Sequence, residues 1–138
     1  MSKVAIVFWS ATGNTETMAN CIAEGAGAAA TIVPCGEMNA AKLGEYDVVA
    51  FGCPAMGAEQ LEESEFEPMF ASLEGSLNGK KVALFGSYGW GDGEWMRSWE
   101  KNCDDAGVSL ACDSIICQEA PDDDTLASCR AMGKTLAE

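Results

Sequence analysis

Val4-Ala5-Ile6-Val7-Phe8-Trp9-Ser10-Ala11-Thr12-Gly13-Asn14-Thr15 is the segment that decides the fold, because an apolar run passes directly into a polar loop. A run in which nearly every residue is apolar predicts a strand that is buried on both faces. Val48–Gly52 and Val82–Gly86 repeat the pattern, and 31–33 and 114–117 are shorter candidates. Strands of this kind are typical of a parallel sheet that is covered by helices.

Helices are predicted in the segments that separate and follow these strands. Apolar residues recur at helical spacing in four of them, which are Thr15 to about Ala26, Ser64 to Leu73, Gly93 to Ala106 and Thr125 to Leu136. Pro68 must then lie in the first turn of the second helix. Segments 26–30 and 36–45 remain ambiguous. This alternation predicts a single α/β domain over residues 1–138, with right-handed crossovers.

The charge of the chain restricts its function. Its 138 residues include 22 Asp and Glu against 8 Lys and Arg, which gives a net charge of −14, and no histidine. A polyanion repels nucleic acid and acidic lipid, so neither is expected as a partner. Without histidine the commonest general base, the Ser-His and Cys-His nucleophile pairs and His-ligated metal sites are missing. Hydrolysis by proton transfer is therefore disfavoured.

The cysteines indicate a reducing compartment. There are seven, at positions 21, 35, 53, 103, 112, 117 and 129, and none forms a Cys-x-x-Cys pair. An odd number argues against a disulfide scaffold, and Ala120 stands where a plant-type iron–sulfur pattern needs its next cysteine. We predict reduced, buried thiols and no metal site. The chain shows no signal peptide or membrane span, so a cytoplasmic location is expected.

The polar loop Ser10–Thr15 lies between the first strand and the first helix. Free N–H groups and the dipole at a helix N-terminus favour an anion, so the loop predicts a phosphate cradle. It contains no Lys or Arg, and the Walker and dinucleotide glycine motifs are absent. A permanently bound monophosphate suits such a loop. The alternative is a capped helix start in a loop rich in Ser and Thr.

Two more loops, 53–61 and 87–93, follow strands whose carboxyl ends belong to the same edge of the sheet. Trp90 stands between Gly89 and Gly91, which predicts an exposed indole that stacks on a flat ligand. The alternative is a Trp that folds back into the core. Met56 offers a polarizable side chain for the other face of a ring. A phosphate end and a planar end together describe a mononucleotide cofactor.

These loops resemble those of the short-chain flavodoxins of anaerobic bacteria. The resemblance rests on Phe8-Trp9-Ser10-Ala11-Thr12-Gly13-Asn14-Thr15, Gly52-Cys53-Pro54-Ala55-Met56-Gly57, Leu61-Glu62-Glu63-Ser64-Glu65-Phe66-Glu67-Pro68 and Phe85-Gly86-Ser87-Tyr88-Gly89-Trp90-Gly91-Asp92-Gly93-Glu94-Trp95-Met96. Strand spacing and length also fit, so the resemblance covers essentially the whole chain. It implies non-covalently bound FMN and a three-layer, doubly wound, flavodoxin-like fold with five parallel strands in the order 2-1-3-4-5.

The resemblance also implies which residues bind FMN. In the family's arrangement the first loop holds the phosphate, Trp90 and Met56 contact the two faces of the ring, and Glu59 lies near the ring N3. The full implied set is Ser10, Ala11, Thr12, Gly13, Asn14, Thr15, Pro54, Ala55, Met56, Gly57, Ala58, Glu59, Ser87, Tyr88, Gly89, Trp90, Gly91, Gln118 and Glu119. The peptide between Gly57 and Ala58 is the implied redox switch.

Two residues depart from the family's pattern. Ala11 stands where relatives often have glycine, which would tighten the phosphate loop. Ala58 stands where some relatives have an acid or serine, which would shift the energy of the peptide turn.

The implied function is a low-potential, one-electron carrier that is not an enzyme. It would cycle between the semiquinone and hydroquinone of FMN, substitute for ferredoxin, and act as a monomer that meets redox proteins with basic surfaces. Five acids in or after the second loop would disfavour the anionic reduced flavin, each by about 20 mV at ~10 Å. They are Glu59, Glu62, Glu63, Glu65 and Glu67. For Glu63 and Glu67 a solvated helix face is the alternative.

Two other classes of protein share the predicted sheet. A flavodoxin-like FMN-dependent NAD(P)H:quinone or nitro reductase is the main alternative, although the chain is short and has no obvious nicotinamide pocket. A response-regulator-like domain needs an acidic cluster after the first strand, where Ser10–Thr15 stands instead.

Overall fold

The sheet of the computed structural model contains only parallel strand pairs within the residues that the structure describes, 2–11, 13–56, 60–89 and 91–138. Its strands are β1 (Val4–Phe8), β2 (Ala30–Pro34), β3 (Val48–Gly52), β4 (Lys81–Tyr88), β5 (Ser109–Leu110) and β6 (Ile115–Gln118). Their order is β2-β1-β3-β4-β5, and β6 also pairs with β4. The predicted parallel sheet with strand order 2-1-3-4-5 is confirmed.

The fifth position of the sheet is divided between two short strands. β5 pairs with Lys81 and Val82 at the start of β4, and β6 pairs with its end, Phe85 to Tyr88. The predicted strand over 114–117 corresponds to β6. No sequence pattern indicates β5, because two residues are too few to establish a period. The edge of the sheet is therefore interrupted between the two strands.

Helices cover both faces of the sheet. They are α1 (Asn14–Ala26), α2 (Ala40–Leu43), α3 (Phe66–Leu73), α4 (Glu94–Asp105) and α5 (Asp123–Ala137), with 3₁₀ turns at Gly27–Ala29, Cys35–Glu37 and Glu74–Ser76. All four predicted helices are present, and Pro68 is the third residue of α3, as its fixed φ requires. The two ambiguous segments contain 3₁₀ turns and the short α2.

The sheet separates two apolar cores. One packs β1, β3 and β4 against α1 and α5, and includes Met18, Ile22 and Met132. The other packs the opposite face against α3 and α4. Val4–Val7 and Val48–Phe51 are almost wholly buried, as the continuous apolar runs predicted. β2 differs because it is an edge strand, and its Ile32 is 39% exposed.

α1 and α5 approach each other through two glycines. A Cβ at Gly133 would lie 2.1 Å from the Ile22 carbonyl oxygen, and one at Gly25 would lie 1.9 Å from the Arg130 carbonyl oxygen. Both contacts are with backbone, which cannot rotate away as a side chain can. The position of α1, which begins at the predicted phosphate loop, therefore depends on this close packing.

All seven cysteines are free thiols, and five of them are buried. In the described part of the chain, no group of three or more His, Cys, Asp or Glu side chains is arranged to hold a metal ion. The helices within the same residues are too short or too polar to cross a membrane.

Candidate functional site

A cleft of about 450 Å³ opens at the carboxyl edge of the sheet, where the loops after β1, β3, β4 and β6 meet. Parallel strands end at one edge, so residues far apart in sequence converge there. The cleft is lined by Ala11, Asn14, Pro54, Ala55, Met56, Ser87, Tyr88, Gly89, Glu119 and Ala120. None of these described residues is Lys or Arg.

The first loop is fixed by Ser10 and Gly13. The Ser10 hydroxyl oxygen accepts the N–H of Gly13 at 3.1 Å and that of Glu16 at 3.4 Å. Gly13 precedes α1 with φ 95°, a left-handed conformation that favours glycine. A hydroxyl that accepts two hydrogen bonds still has its proton to donate, so Ser10 retains a donor for an anion.

Thr15 lies at the second residue of α1 and is 1% exposed. Its Oγ1 is buried and has no hydrogen-bond partner within the described residues. The N–H groups of the first helical turn, including those of Asn14 and Thr15, also have no intrahelical acceptor. This end of α1 therefore presents several donors and lacks a matching acceptor.

The second loop is closed by backbone bonds. Met56 and Gln60 exchange N–H···O bonds of 2.8 and 3.0 Å, which bracket residues 57–59. The N–H of Ala55 donates to the carbonyl of Ser87 at 3.0 Å and ties this loop to the third. The Trp95 indole N–H donates to the carbonyl of Cys53 at 3.1 Å. Burial raises the pKa of the Cys53 thiol to about 12, so it stays neutral.

Glu62 anchors the end of the second loop to α3. Its carboxylate is 7% exposed and accepts the N–H groups of Ser64, Glu65 and Phe66 at 3.0, 2.7 and 2.9 Å, as well as the Ser64 hydroxyl. Burial by itself would raise the pKa of Glu62, but these hydrogen bonds outweigh it and lower the pKa to about 2. Glu62 is therefore an ionised helix cap.

The third loop is joined to the end of β6. The buried Ser87 hydroxyl donates to the carbonyl of Glu119 at 2.6 Å, and the N–H of Glu119 donates to the carbonyl of Tyr88 at 2.7 Å. The Gln118 amide donates to the carbonyl of Gly89 at 3.4 Å. Glu119 has φ 57°, a left-handed conformation that favours glycine and is uncommon for glutamate. These bonds hold that conformation beside the cleft.

The structure brings together most of the fourteen predicted site residues that it describes. Nine line the cleft: Ala11, Asn14, Pro54, Ala55, Met56, Ser87, Tyr88, Gly89 and Glu119. Ser10, Gly13, Thr15, Gly91 and Gln118 are not lining residues, although the first three shape the start of α1 and Gln118 bonds to Gly89. Thr12, Gly57, Ala58, Glu59 and Trp90 lie outside the described residues.

Sequence reasoning missed one lining residue, Ala120, and the structural role of Glu62. Alanine carries no chemical signal, and only its position after the last strand could have indicated it. A run of acids does not show which carboxylate turns inward, so the sequence alone does not separate Glu62 from its acidic neighbours.

Comparison with known proteins identifies this arrangement. Residues 6–133 match the family model for flavodoxin. The chain belongs to the flavodoxin family. It is 45% identical to the flavodoxin of Megasphaera elsdenii over 138 residues, 98% of each chain, and 44% identical to that of Clostridium beijerinckii over 135 residues, 96% of this chain and 97% of the other.

A solved flavodoxin structure has the same fold. The solution structure of two-electron reduced Megasphaera elsdenii flavodoxin superposes with a TM-score of 0.88 and covers 97% of this chain and 98% of its own. Flavodoxins are small FMN-binding electron carriers and not enzymes, so this flavodoxin is an electron-transfer protein that acts with partner proteins. The reductase alternative is not favoured, because the relatives matched over nearly their full length are flavodoxins.

The residues of the cleft fit FMN. The cavity has the size of a small-molecule site. The unpartnered Thr15 hydroxyl and the first turn of α1 supply donors for a phosphate, and Pro54, Ala55 and Met56 supply an apolar wall for a ring.

Proposed function

We propose that this protein is a low-potential, one-electron carrier that holds FMN non-covalently in the cleft between the first, second and third loops. The observation that carries the proposal is the convergence of these loops on one cleft, with the unpartnered Thr15 hydroxyl at the start of α1. When bound, FMN supplies a ring that passes one electron at a time, and the working couple lies between its one- and two-electron reduced forms. The domain 1–138 acts as one unit.

The phosphate end is formed by the first loop. Asn14 and Thr15 offer N–H groups and side chains, Ser10 offers its hydroxyl proton, and Thr12 adds a second hydroxyl. Ser10 also positions Gly13 by accepting its N–H. The loop contains no cation, so hydrogen bonds and the dipole of α1 hold the anion.

The ring end is formed by the second and third loops. Met56 would cover one face of the ring and Trp90 the other, and the backbone of Gly89 and Gly91 would meet its edge. The peptide between Gly57 and Ala58 is the switch that responds to the redox state. Met56 and Gln60, on either side of this segment, exchange two backbone hydrogen bonds, so the backbone that flanks the proposed switch is fixed.

The electrostatics of the site keep the potential low. No Lys or Arg lines the described part of the cleft, and the chain as a whole carries a charge of −14. Carboxylates near the ring would disfavour the extra negative charge of its two-electron reduced form, and no cation in the described lining would offset them. The same absence of basic groups disfavours binding of a second anionic cofactor, as a nicotinamide-dependent reductase needs.

The partners are redox proteins with basic surfaces, which an acidic carrier attracts at rates that depend on salt. The carrier is a cytoplasmic monomer that substitutes for ferredoxin. Free thiols at all seven cysteines agree with a reducing compartment.

Equilibrium binding of FMN and of riboflavin, which lacks the phosphate, tests the site. We expect FMN to bind at least about tenfold more tightly, because charge-assisted hydrogen bonds to the phosphate are lost with riboflavin. Equal affinities would show that the first loop holds no phosphate and would contradict the proposal.

A further inference from the structure

A second cleft, of about 660 Å³, lies between β6 and α5, away from the lining of the FMN cleft. It exists because the fifth position of the sheet is interrupted: β5 ends at Leu110 and β6 begins only at Ile115. Within the described residues β6 pairs only with β4, so its outer edge is free. An edge strand presents unpaired N–H and C=O groups at alternate residues.

The floor of this cleft is apolar. Ile115 packs towards the core of α1 and α5, and Met132 of α5 lies in the same wall. Ile116 also lines the cleft; its Cδ1 lies near Gly93, and it is 39% exposed. Ile116 and Ile32 are the exposed large hydrophobic residues of the described chain, and they lie on opposite edges of the sheet.

The rim of the cleft is acidic. Asp113, Asp122 and Asp124 line it, and no Lys or Arg does. A second copy of the chain paired at this edge would bring the same carboxylates together, and like charges across a strand pair are destabilising. An occupant with positive charges meets no such repulsion.

We propose that the edge of β6 and the adjoining cleft bind an extended, basic segment of a partner protein, in which apolar residues alternate with Lys or Arg. The backbone of the segment extends the sheet at β6, its apolar side chains enter the cleft, and its cations meet the aspartates on the rim. Apolar residues at alternate positions all point to the cleft side of the added strand, and the long side chains of Lys and Arg reach the rim from the positions beside them.

The site lies next to the FMN cleft along the chain, and its relevance rests on the proposed function. Ala120 lines the FMN cleft and Asp122 lines the second cleft, so their Cα atoms are at most about 7 Å apart. A segment anchored at β6 therefore holds its parent protein beside the loop that borders the flavin. The electron carrier would gain a docking contact separate from the flavin-binding loops.

The test uses the FMN-loaded, isotope-labelled protein and a short synthetic peptide in which lysine and valine alternate. We expect amide NMR shifts confined to residues 112–118 and the start of α5, and affinity that falls with salt. A peptide in which glutamate replaces lysine is the matched probe. Shifts scattered over α3 and α4, or equal binding of both peptides, would overturn the proposal.

Matched variants distinguish binding at the cleft from attraction to the overall negative charge of the protein. D113N/D124N should weaken binding about fivefold, whereas D104N/D105N on α4, with the same change in charge, should weaken it less than about twofold. Asp122 is left unchanged because it caps α5 by accepting the N–H of Thr125 at 2.8 Å. Equal effects of the two double variants would overturn the proposal.

The apolar contact has its own matched pair, Ile116→Ser and Ile32→Ser. The first should weaken peptide binding and the second should not, with folding of both checked by thermal unfolding. Concentration-dependent dimerisation that Ile116→Ser abolishes would assign the edge to a second copy and overturn the proposal. Peptide binding does not depend on flavin reduction, so its failure leaves the electron-carrier function standing, and the reverse also holds.

Discussion

At Thr15, folding and cofactor binding have opposite requirements. A buried hydroxyl without a partner costs free energy in the folded chain, whereas the same hydroxyl is a donor for a phosphate. A binding site can keep such an unsatisfied hydroxyl because the bound ligand supplies the missing acceptor. Thr15 is therefore the residue at which the proposed phosphate site can be tested against a simple capped helix.

Thr15→Val should change stability and affinity in opposite directions. The cofactor-free protein should keep its unfolding free energy or gain about 1 kcal/mol, because the unsatisfied hydroxyl is removed. FMN affinity should fall about tenfold through the loss of a hydrogen bond to a charged group. Urea unfolding and FMN titration measure the two effects, with Thr31→Val on the exposed edge strand as control. An unchanged affinity would contradict a role for Thr15 at the phosphate.

Glu62 is a second residue whose function depends on its surroundings. Its pKa lies at about 2, below the ordinary value of 4.5, so the folded state binds its proton more weakly than the unfolded state. The ionised cap stabilises the fold fully above pH 4.5, and this contribution disappears as the pH falls through 2.

Glu62→Gln should therefore lower the unfolding free energy by about 2 kcal/mol at neutral pH and by progressively less between pH 4.5 and 2. Denaturant unfolding across this range measures the difference from the parent protein. Glu63→Gln is the control, since Glu63 is exposed and bonds only to Gln60 among the described residues. A difference that stays constant with pH would show that Glu62 does not act through its charge.

The sequence identifies those site residues that lie next to a recognisable pattern, such as a buried strand. Asn14 and Met56 were predicted because each lies in a loop directly after a recognisable buried strand, and both line the cleft. Ala120 has no such signal. The inward turn of Glu62 depends on the start of α3, which an acid run alone does not define. Tertiary contacts decide both cases.

At the level of elements, the packing of α1 against α5 determines where the phosphate loop lies. Gly133→Ala would place a Cβ 2.1 Å from the Ile22 carbonyl oxygen and force the two helices apart. We expect a loss of about 2 kcal/mol in unfolding free energy, measured by urea denaturation. Gly75→Ala is the matched control, since a Cβ there meets nothing within 4 Å. Equal stability of the two variants would contradict this packing.

Strands differed in how well the sequence predicted them. β3 matches its predicted bounds, Val48–Gly52, because a strand buried on both faces is apolar along its whole length. β5 has two residues and no period, so its pairing with β4 depends on the tertiary fold. The break between β5 and β6, which creates the second cleft, could not be predicted for the same reason.

For the whole molecule, the acidic charge divides into groups with different roles. The structure assigns Glu62 to the cap of α3, and Glu67 lies in a separate cleft between α3 and α4. Glu63 and Glu65 are exposed near the second loop. Asp104 and Asp105 lie at the end of α4, where the Lys101 ammonium pairs with the Asp105 carboxylate at 2.8 Å.

Neutralising each group should therefore have a distinct effect. E63Q/E65Q should raise the second, more negative reduction potential of bound FMN by about 40 mV at low salt and by less at high salt. D104N/D105N changes the net charge equally and should leave the potential unchanged while slowing association with a basic partner. Potentiometry and stopped-flow kinetics measure the two effects. Equal shifts in potential would mean that only net charge matters.

The most direct test of the electron-carrier function is a stepwise anaerobic reduction of the FMN-loaded protein, followed by its absorbance spectrum and potential. We predict one FMN per chain and two separate one-electron stages. The reduction potential of the second stage should be more negative than that of the second stage of free FMN. A single two-electron stage, or a second stage no more negative than that of free FMN, would contradict the account.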